Sequence, residues 1–267
     1  LIAAPDQRHV QQNALTTQDS AVLVQNELSW MFQTILDLLP QTTNIAVVIG
    51  NSPLERFWIN EIQGASQRFT NQVGLLWLNE LSFAEMLKRC AALPPRSAIF
   101  YPILVVDADG VPLWQEGVLT RLRDVASAPL FGLYDTQLGR GIVGGPLMNV
   151  GELSRSTASV AARILHGEAP GNIRPPPQEP GPPQFDWREL RRWGISEARL
   201  PAGSAVRFRQ PGLWERYWWL VCGGTLFGAM QAALIVGLLL NRARRRQGEA
   251  VAALIADLSS RFVNLPA

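Results

Sequence analysis

The sequence predicts an α/β fold, a parallel sheet with helices on both faces, followed by a single membrane-crossing helix. Three observations carry this. Continuous apolar, β-branched runs recur at 44–49 (NIAVVI), 73–78, 97–106 (SAIFYPILVV) and 129–134, as strands buried on both faces should read. Stretches of helical period separate them, the rhythm that places crossover helices on both sides of a parallel sheet. Finally, 217–240 (YWWLVCGGTLFGAMQAALIVGLLL) holds no charge and one strongly polar side chain, Gln231. At about 1.5 Å per residue a helix of that length spans the roughly 30 Å hydrocarbon layer of a bilayer.

The elements follow in order. Residues 1–19 are polar and unpatterned, a leader. Val24, Leu28, Met31, Phe32, Ile35 and Leu39 then form a helical stripe that ends at Pro40. After the first strand, Gly50-Asn51-Ser52-Pro53 leads into a helix with Pro53 in its first turn. Its expected apolar face is Leu54, Phe57, Trp58, Ile62 and Phe69. Ser82 with Glu85 three residues on is a capping box for the next helix, which Pro94-Pro95 stops. Asp107-Ala108-Asp109-Gly110 is a turn, and 115–126 a further helix. Beyond the fourth strand come a glycine-rich loop and a helix over 150–166. The six-proline stretch 174–184 is extended or irregular. Residues 185–194 read as a short helix stopped by Gly194, and 205–208 as a brief strand.

The membrane segment orders the chain. Trp214, Tyr217, Trp218 and Trp219 form an aromatic belt at one end, and Arg242, Arg244, Arg245 and Arg246 a cationic stop at the other. Arginines are retained on the cytoplasmic side, which puts the C-terminal end inside and 1–213 outside. Net charge is +2. The tail from Arg242 holds five arginines against Glu249 and Asp257, which leaves the exterior near neutral with no basic face for nucleic acid. Of the two cysteines, Cys222 lies in the membrane segment, so Cys90 has no exterior partner for a disulfide. No basic region followed by an apolar run opens the chain, although the exterior must be exported. A fragment is therefore expected, with an export signal before Leu1 and a module after Ala267.

Several chemistries are unsupported. Gly139-Arg140-Gly141-Ile142-Val143-Gly144 matches a dinucleotide fingerprint, but Gly145-Pro146 follows where a helix should open, and no acidic residue stands about 20 positions on. The loop reads instead as a hinge allowing close backbone approach. Ser52 stands where a hydrolase elbow would put its nucleophile, but Leu54 replaces the required glycine. His9 and His166, the only histidines, offer neither a base nor a metal ligand set. No catalytic residue, metal or other cofactor is expected, and the chain is not expected to be an enzyme. Asn51, Ser52, Tyr101, Tyr134, Asp135 and Arg140 sit at or just after strand ends. Ligands of open α/β sheets bind beyond the carboxyl ends of the strands, so these six are the expected pocket for a small molecule. Gly224, Gly228 and Ala232 present a small-residue face for helix association. Val251, Ile255, Leu258, Phe262 and Leu265 continue it as a short heptad seam. A homodimer is expected from the two together.

The run NIAVVIGNSPLERFW, LNELSFAEML, LPPRSAIFY, GLYDTQLGRGIVGG, FDWRELRRWGISEARLPAGS, WERYWW is similar to the periplasmic sensor region of bacterial membrane-bound sensor histidine kinases. LGRGIVGG and FDWRELRRWGI are its most specific segments. That region resembles the type I periplasmic substrate-binding fold of ABC transporters. The resemblance implies a two-lobed sensor with its first lobe ahead of Leu1 and a cytoplasmic GAF or PAS module, kinase core and response regulator downstream. The tail LIADLSSRFVNLPA resembles the lead-in to such a module. The implied organisation is a remnant at 1–19, an α/β ligand-sensing lobe at 20–173, a membrane-proximal segment at 174–213, the membrane helix at 214–241 and a cytoplasmic signalling helix at 242–267. The implied location is the bacterial inner membrane. A tethered receptor that delivers solute to an ABC-type transporter is the alternative, and an anchored α/β enzyme a further rival.

Overall fold

A computed structural model describes residues 1–6, 10, 15–25, 27–113, 115–210 and 213–263, except for the side chains of 4, 5, 115, 116, 213–216 and 243–263. His9 and Leu265 lie outside the described residues, and the side chains of Trp214, Arg244, Arg245 and Arg246 and of the heptad positions from Val251 to Phe262 do too. The chain divides into Leu1–Gln210 and Pro211–Ala267.

The first unit is built on a parallel sheet of β3 (Asn44–Val47), β4 (Gly74–Trp77), β5 (Ser97–Tyr101) and β6 (Leu130–Gly132), in the order β4-β3-β5-β6. β5 is buried along its whole length, as its unbroken apolar sequence requires. Helices α1 (Leu28–Leu38), α2 (Pro53–Ser66), α3 (Phe83–Ala91) and α4 (Gln115–Val125) form the crossovers and flanks. Phe32 of α1 packs between Phe100 of β5, 5.7 Å away edge-on, and Phe69, at 5.9 Å. The capping box expected at Ser82 with Glu85 forms, and Ser52 forms a second one with Glu55.

Three elements depart from the sequence reading. The leader is not structureless: β1 (Ile2–Asp6) pairs in parallel with β2 (Ala21–Val24), so Val24 belongs to a strand rather than to the α1 stripe. Sequence propensity misses β1 because its partner lies some twenty residues away and tertiary pairing decides it. On α2 the buried positions are Glu55, Trp58, Ile62 and Ser66, whereas Leu54 and Phe57 are exposed. The helix is rotated so that its Glu55 carboxylate, not an apolar side chain, enters the interior. The FDWRELRRWG segment is a strand before it is a helix: β8 (Gln184–Asp186) precedes α6 (Trp187–Arg192), with Asp186 as N-cap. β8 lies antiparallel to β7 (Gly144–Gly145) and parallel to β9 (Ala205–Arg207). Only glycine permits that approach, because a Cβ on Gly144 would lie 2.0 Å from the Gln184 carbonyl. The glycine-rich loop thus serves strand pairing. The proline-rich stretch is irregular, as expected, and is pinned at Gln178, whose N–H donates to Leu23 O at 2.8 Å and whose carbonyl accepts from Gln25 N at 2.9 Å.

Two apolar cores result. The large one surrounds the four-stranded sheet. A small one joins Val22 of β2 to Val160 of α5 (Val150–Leu165) and to Ile173, with Leu153 and Ile164 against it. The chain passes between them three times: from β2 to α1, from Met148 to α5, and from Gln178 to β8.

The second unit is one helix, α7 (Leu213–Val263). Its 26 residues from Tyr217 to Arg242 are long and apolar enough to cross a membrane, and none is buried within the molecule. Gly224 and Gly228 would each take a Cβ into open space.

Candidate functional site

The carboxyl ends of β3, β5 and β6 lie side by side along one edge of the sheet, and the six expected residues fall there in three groups. Asn51 and Ser52 follow β3, both half-buried. Ser52 is committed to the α2 cap: its Oγ accepts from Glu55 N at 3.3 Å, while its own N–H donates to Glu55 Oε2 at 2.8 Å. Asn51 N donates to Val106 O at 3.2 Å. Tyr101 ends β5 and shares a niche of about 30 Å³ with Leu119, Thr136, Gln137 and Arg140. Burial, then the nearby Glu55 charge, raises the Tyr101 phenol well above its ordinary value. Tyr134 and Asp135 stand at the crossing toward α5. Asp135 N donates to Met148 O at 3.0 Å and Asp135 Oδ1 accepts from Val150 N at 3.1 Å, so this carboxylate satisfies the first turn of α5. Burial also raises the Tyr134 phenol.

What fixes this edge is a set of buried polar side chains that periodicity did not reveal. Glu55 Oε1 accepts from Val105 N at 2.6 Å, which clips the chain after β5 to the start of α2. Gln137 Oε1 accepts from Leu133 N and Tyr134 N, at 2.8 and 3.1 Å, and its Nε2 donates to Pro102 O at 3.0 Å. Asp107 Oδ1 accepts from Asp109 N and Val111 N, and its Oδ2 from Phe83 N. The available sequence signals were the glycines these groups displace: a Cβ on Gly50 would lie 2.3 Å from Glu55 Oε1, and one on Gly132 2.3 Å from Gln137 Oε1.

The three crossings enclose a cavity of about 120 Å³. Gln25 and Glu27 line it from the first, Met148 and Asn149 from the second, and Gln178 and Glu179 from the third. None of the six expected residues lines it, although Leu133 and Met148 do, and these flank Tyr134 and Asp135 in the Tyr134–Met148 bridge. Polar side chains from three connecting segments thus line a void beside the strand ends of one sheet.

No protein-family model matches the chain, and no curated protein matches it in sequence. Solved structures match in fold. A conserved domain protein from Vibrio cholerae superposes with a TM-score of 0.52 at 20% identity, over 70% of this chain and 62% of that one. The ABC domain in complex with L-Trp from Streptococcus pneumonia gives 0.53 at 16%, over 70% and 62%. A ligand-free, open substrate-binding protein with adhesive properties from Clostridium difficile gives 0.52 at 13%, over 72% and 63%. The chain thus spans under two thirds of the length of the structures it resembles. The likeness is one of fold, an α/β architecture of the periplasmic-binding-protein type.

Proposed function

We propose that this chain is the second lobe, the hinge and the membrane helix of an extracytoplasmic small-solute sensor in a bacterial two-component histidine kinase. The observation that carries the reading is the triple crossing between two cores, with a cavity enclosed by the three connecting strands. Strands that join two cores at one place form a hinge, and a ligand bound there favours whichever arrangement it touches better. It can shift that equilibrium only by its differential affinity for the two forms. Asp135 stands at one of the crossings, and with Asn51, Tyr101 and Arg140 on the same strand-end edge it offers a mix of carboxylate, amide, phenol and guanidinium that suits a small polar solute. The lobe continues through β9 into a helix of membrane-crossing length. In this reading 1–213 face the periplasm, Arg242 onward the cytoplasm, and the Gly224/Gly228/Ala232 face joins two copies.

Calorimetry of the full-length, two-lobed protein with a solute library that includes L-Trp and other amino acids is the test. A binder whose affinity is unmoved by Asp135→Ala together with Tyr101→Ala overturns the pocket. The second reading is a tethered receptor serving an ABC-type transporter, favoured by the likeness to a substrate-binding protein. Autophosphorylation of the full-length protein with labelled ATP separates the two: solute-dependent phosphate incorporation belongs only to the sensor.

A further inference from the structure

We propose that the opposite, amino-terminal edge of the four-stranded sheet carries a second binding site, one that takes a small planar carboxylate. This inference is independent of the hinge reading. A cleft of about 540 Å³ opens where the chain enters β3, β5 and β6, within the range of about 300–1,000 Å³ usual for small-molecule sites. Gln41 and Thr42 line it ahead of β3, Arg96 ahead of β5, Ser127 ahead of β6, and Trp193 and Arg199 from the segment after α6.

Its charge is one-sided. Among the described residues, two guanidinium groups line the cleft and no Asp or Glu does. Two carboxylates of the same segment are engaged elsewhere: Glu189 pairs with Arg123 and Arg192, and Glu197 with Arg209. Arg199 is pre-positioned, since its Nη1 donates to Leu38 O at 3.2 Å. A guanidinium fork matches a carboxylate through two parallel hydrogen bonds. The half-buried Trp193 indole and the prolines 94, 95 and 129 supply the flat apolar surface for the rest of such a ligand.

Arg96 is the sharper observation. It holds φ +62°, one of two non-glycine residues in the left-handed region among the described residues. The turn uses only its backbone, where Arg96 O accepts from Thr43 N at 2.9 Å. Glycine would make that turn without strain. A strained backbone that carries a guanidinium into an acid-free cleft points to a use for the side chain.

The experiment uses the full chain in phosphatidylcholine nanodiscs, with 4-fluorobenzoate as probe and 4-fluorobenzyl alcohol as the uncharged control, read by fluorine NMR line broadening. Broadening of the benzoate alone is expected. Arg96→Gly, which suits the backbone and preserves the fold, should weaken it about tenfold, as should Arg199→Met, the loss of one bidentate charge-assisted contact. Unchanged melting of Arg96→Gly guards against a folding artefact. The proposal is overturned if the benzoate is not broadened, if the alcohol broadens equally, or if both arginine variants bind within twofold of the parent. It is also overturned if the signal is lost instead in the Asp135→Ala, Tyr101→Ala chain, which would put the probe at the carboxyl edge.

Discussion

The Phe208 ring occupies the space that a side chain on Gly139 would need: a Cβ there would lie 2.7 Å from Phe208 Cζ. Arg188 closes the arrangement. Its guanidinium sits 4.5 Å from the Phe208 ring centroid, donates to Gly139 O at 3.1 Å and binds both oxygens of the buried Asp186. Gly139 belongs to the loop after β6 that carries Asp135 and Arg140, and Phe208 follows β9, the last strand before α7. The strand-end loop therefore touches the chain where it leaves the lobe.

That contact gives the first prediction. Gly139 holds φ +87°, so Gly139→Ala adds both strain and a clash and should cost about 1–3 kcal/mol. Phe208→Ala removes the clash, and the double variant should recover about 0.5 kcal/mol or more of that loss. Denaturant melts of the four chains measure the coupling, and strict additivity would disprove it.

Glu55→Gln should destabilise the lobe although it is nearly isosteric. The two carboxylate oxygens accept from Val105 N and Ser52 N, and an amide must turn its NH₂ toward one of those donors. Leaving one buried group unsatisfied costs about 1–3 kcal/mol. A drop of about 2–4 °C in melting temperature per kcal/mol is expected for a domain of this size.

Arg123→Ala leaves the buried Glu189 carboxylate with Arg192 alone, at 3.5 Å. Because the Arg123 side chain is itself 43% exposed, solvent screening reduces the loss to about 1–2 kcal/mol. Replacing both partners, as Arg123→Met with Glu189→Leu, should bring stability back to within about 1 kcal/mol of the parent, since no charge is then left buried. Melting curves of the single and double variants decide it.

Tyr101 sets an alkaline limit. Its folded-state value lies above the ordinary 10.0, first through burial and then through Glu55. The neutral phenol is thus favoured by folding, so its contribution is fully present below pH 10.0 and is lost as pH rises above that value toward the folded-state one. Tyr101→Phe should flatten the fall in melting temperature between about pH 10 and pH 11.5. An equally steep fall in the variant would assign the alkaline limit elsewhere.

Cys90 should be inert in the folded chain. It is fully buried, and burial pushes its thiol up to about 12. In a Cys222→Ser background, iodoacetamide at pH 8 should modify Cys90 only after denaturant is added. Rapid labelling of the native chain would show that the core around α3 opens.

The sequence by itself determined the class of fold, the four-strand rhythm of the sheet, the Ser82–Glu85 capping box and the membrane-length helix. Each is a local matter: an unbroken β-branched run, a Ser–Glu pair at fixed spacing and a charge-free stretch act through neighbours in the chain. The strand-end positions of Asn51, Tyr101 and Asp135 followed from the same rhythm. Only the tertiary structure decided the rest. β1 exists because β2 pairs with it. The Phe185 strand exists because Gly144 lets a backbone come within reach. Glu55, Asp107 and Gln137 are buried where each ties local N–H groups to a distant segment, through Val105 N, Phe83 N and Pro102 O respectively. The three crossings, the cavity they enclose and the arginine cleft at the far edge depend on which segments meet, and a pattern along one segment contains no term for its distant partner.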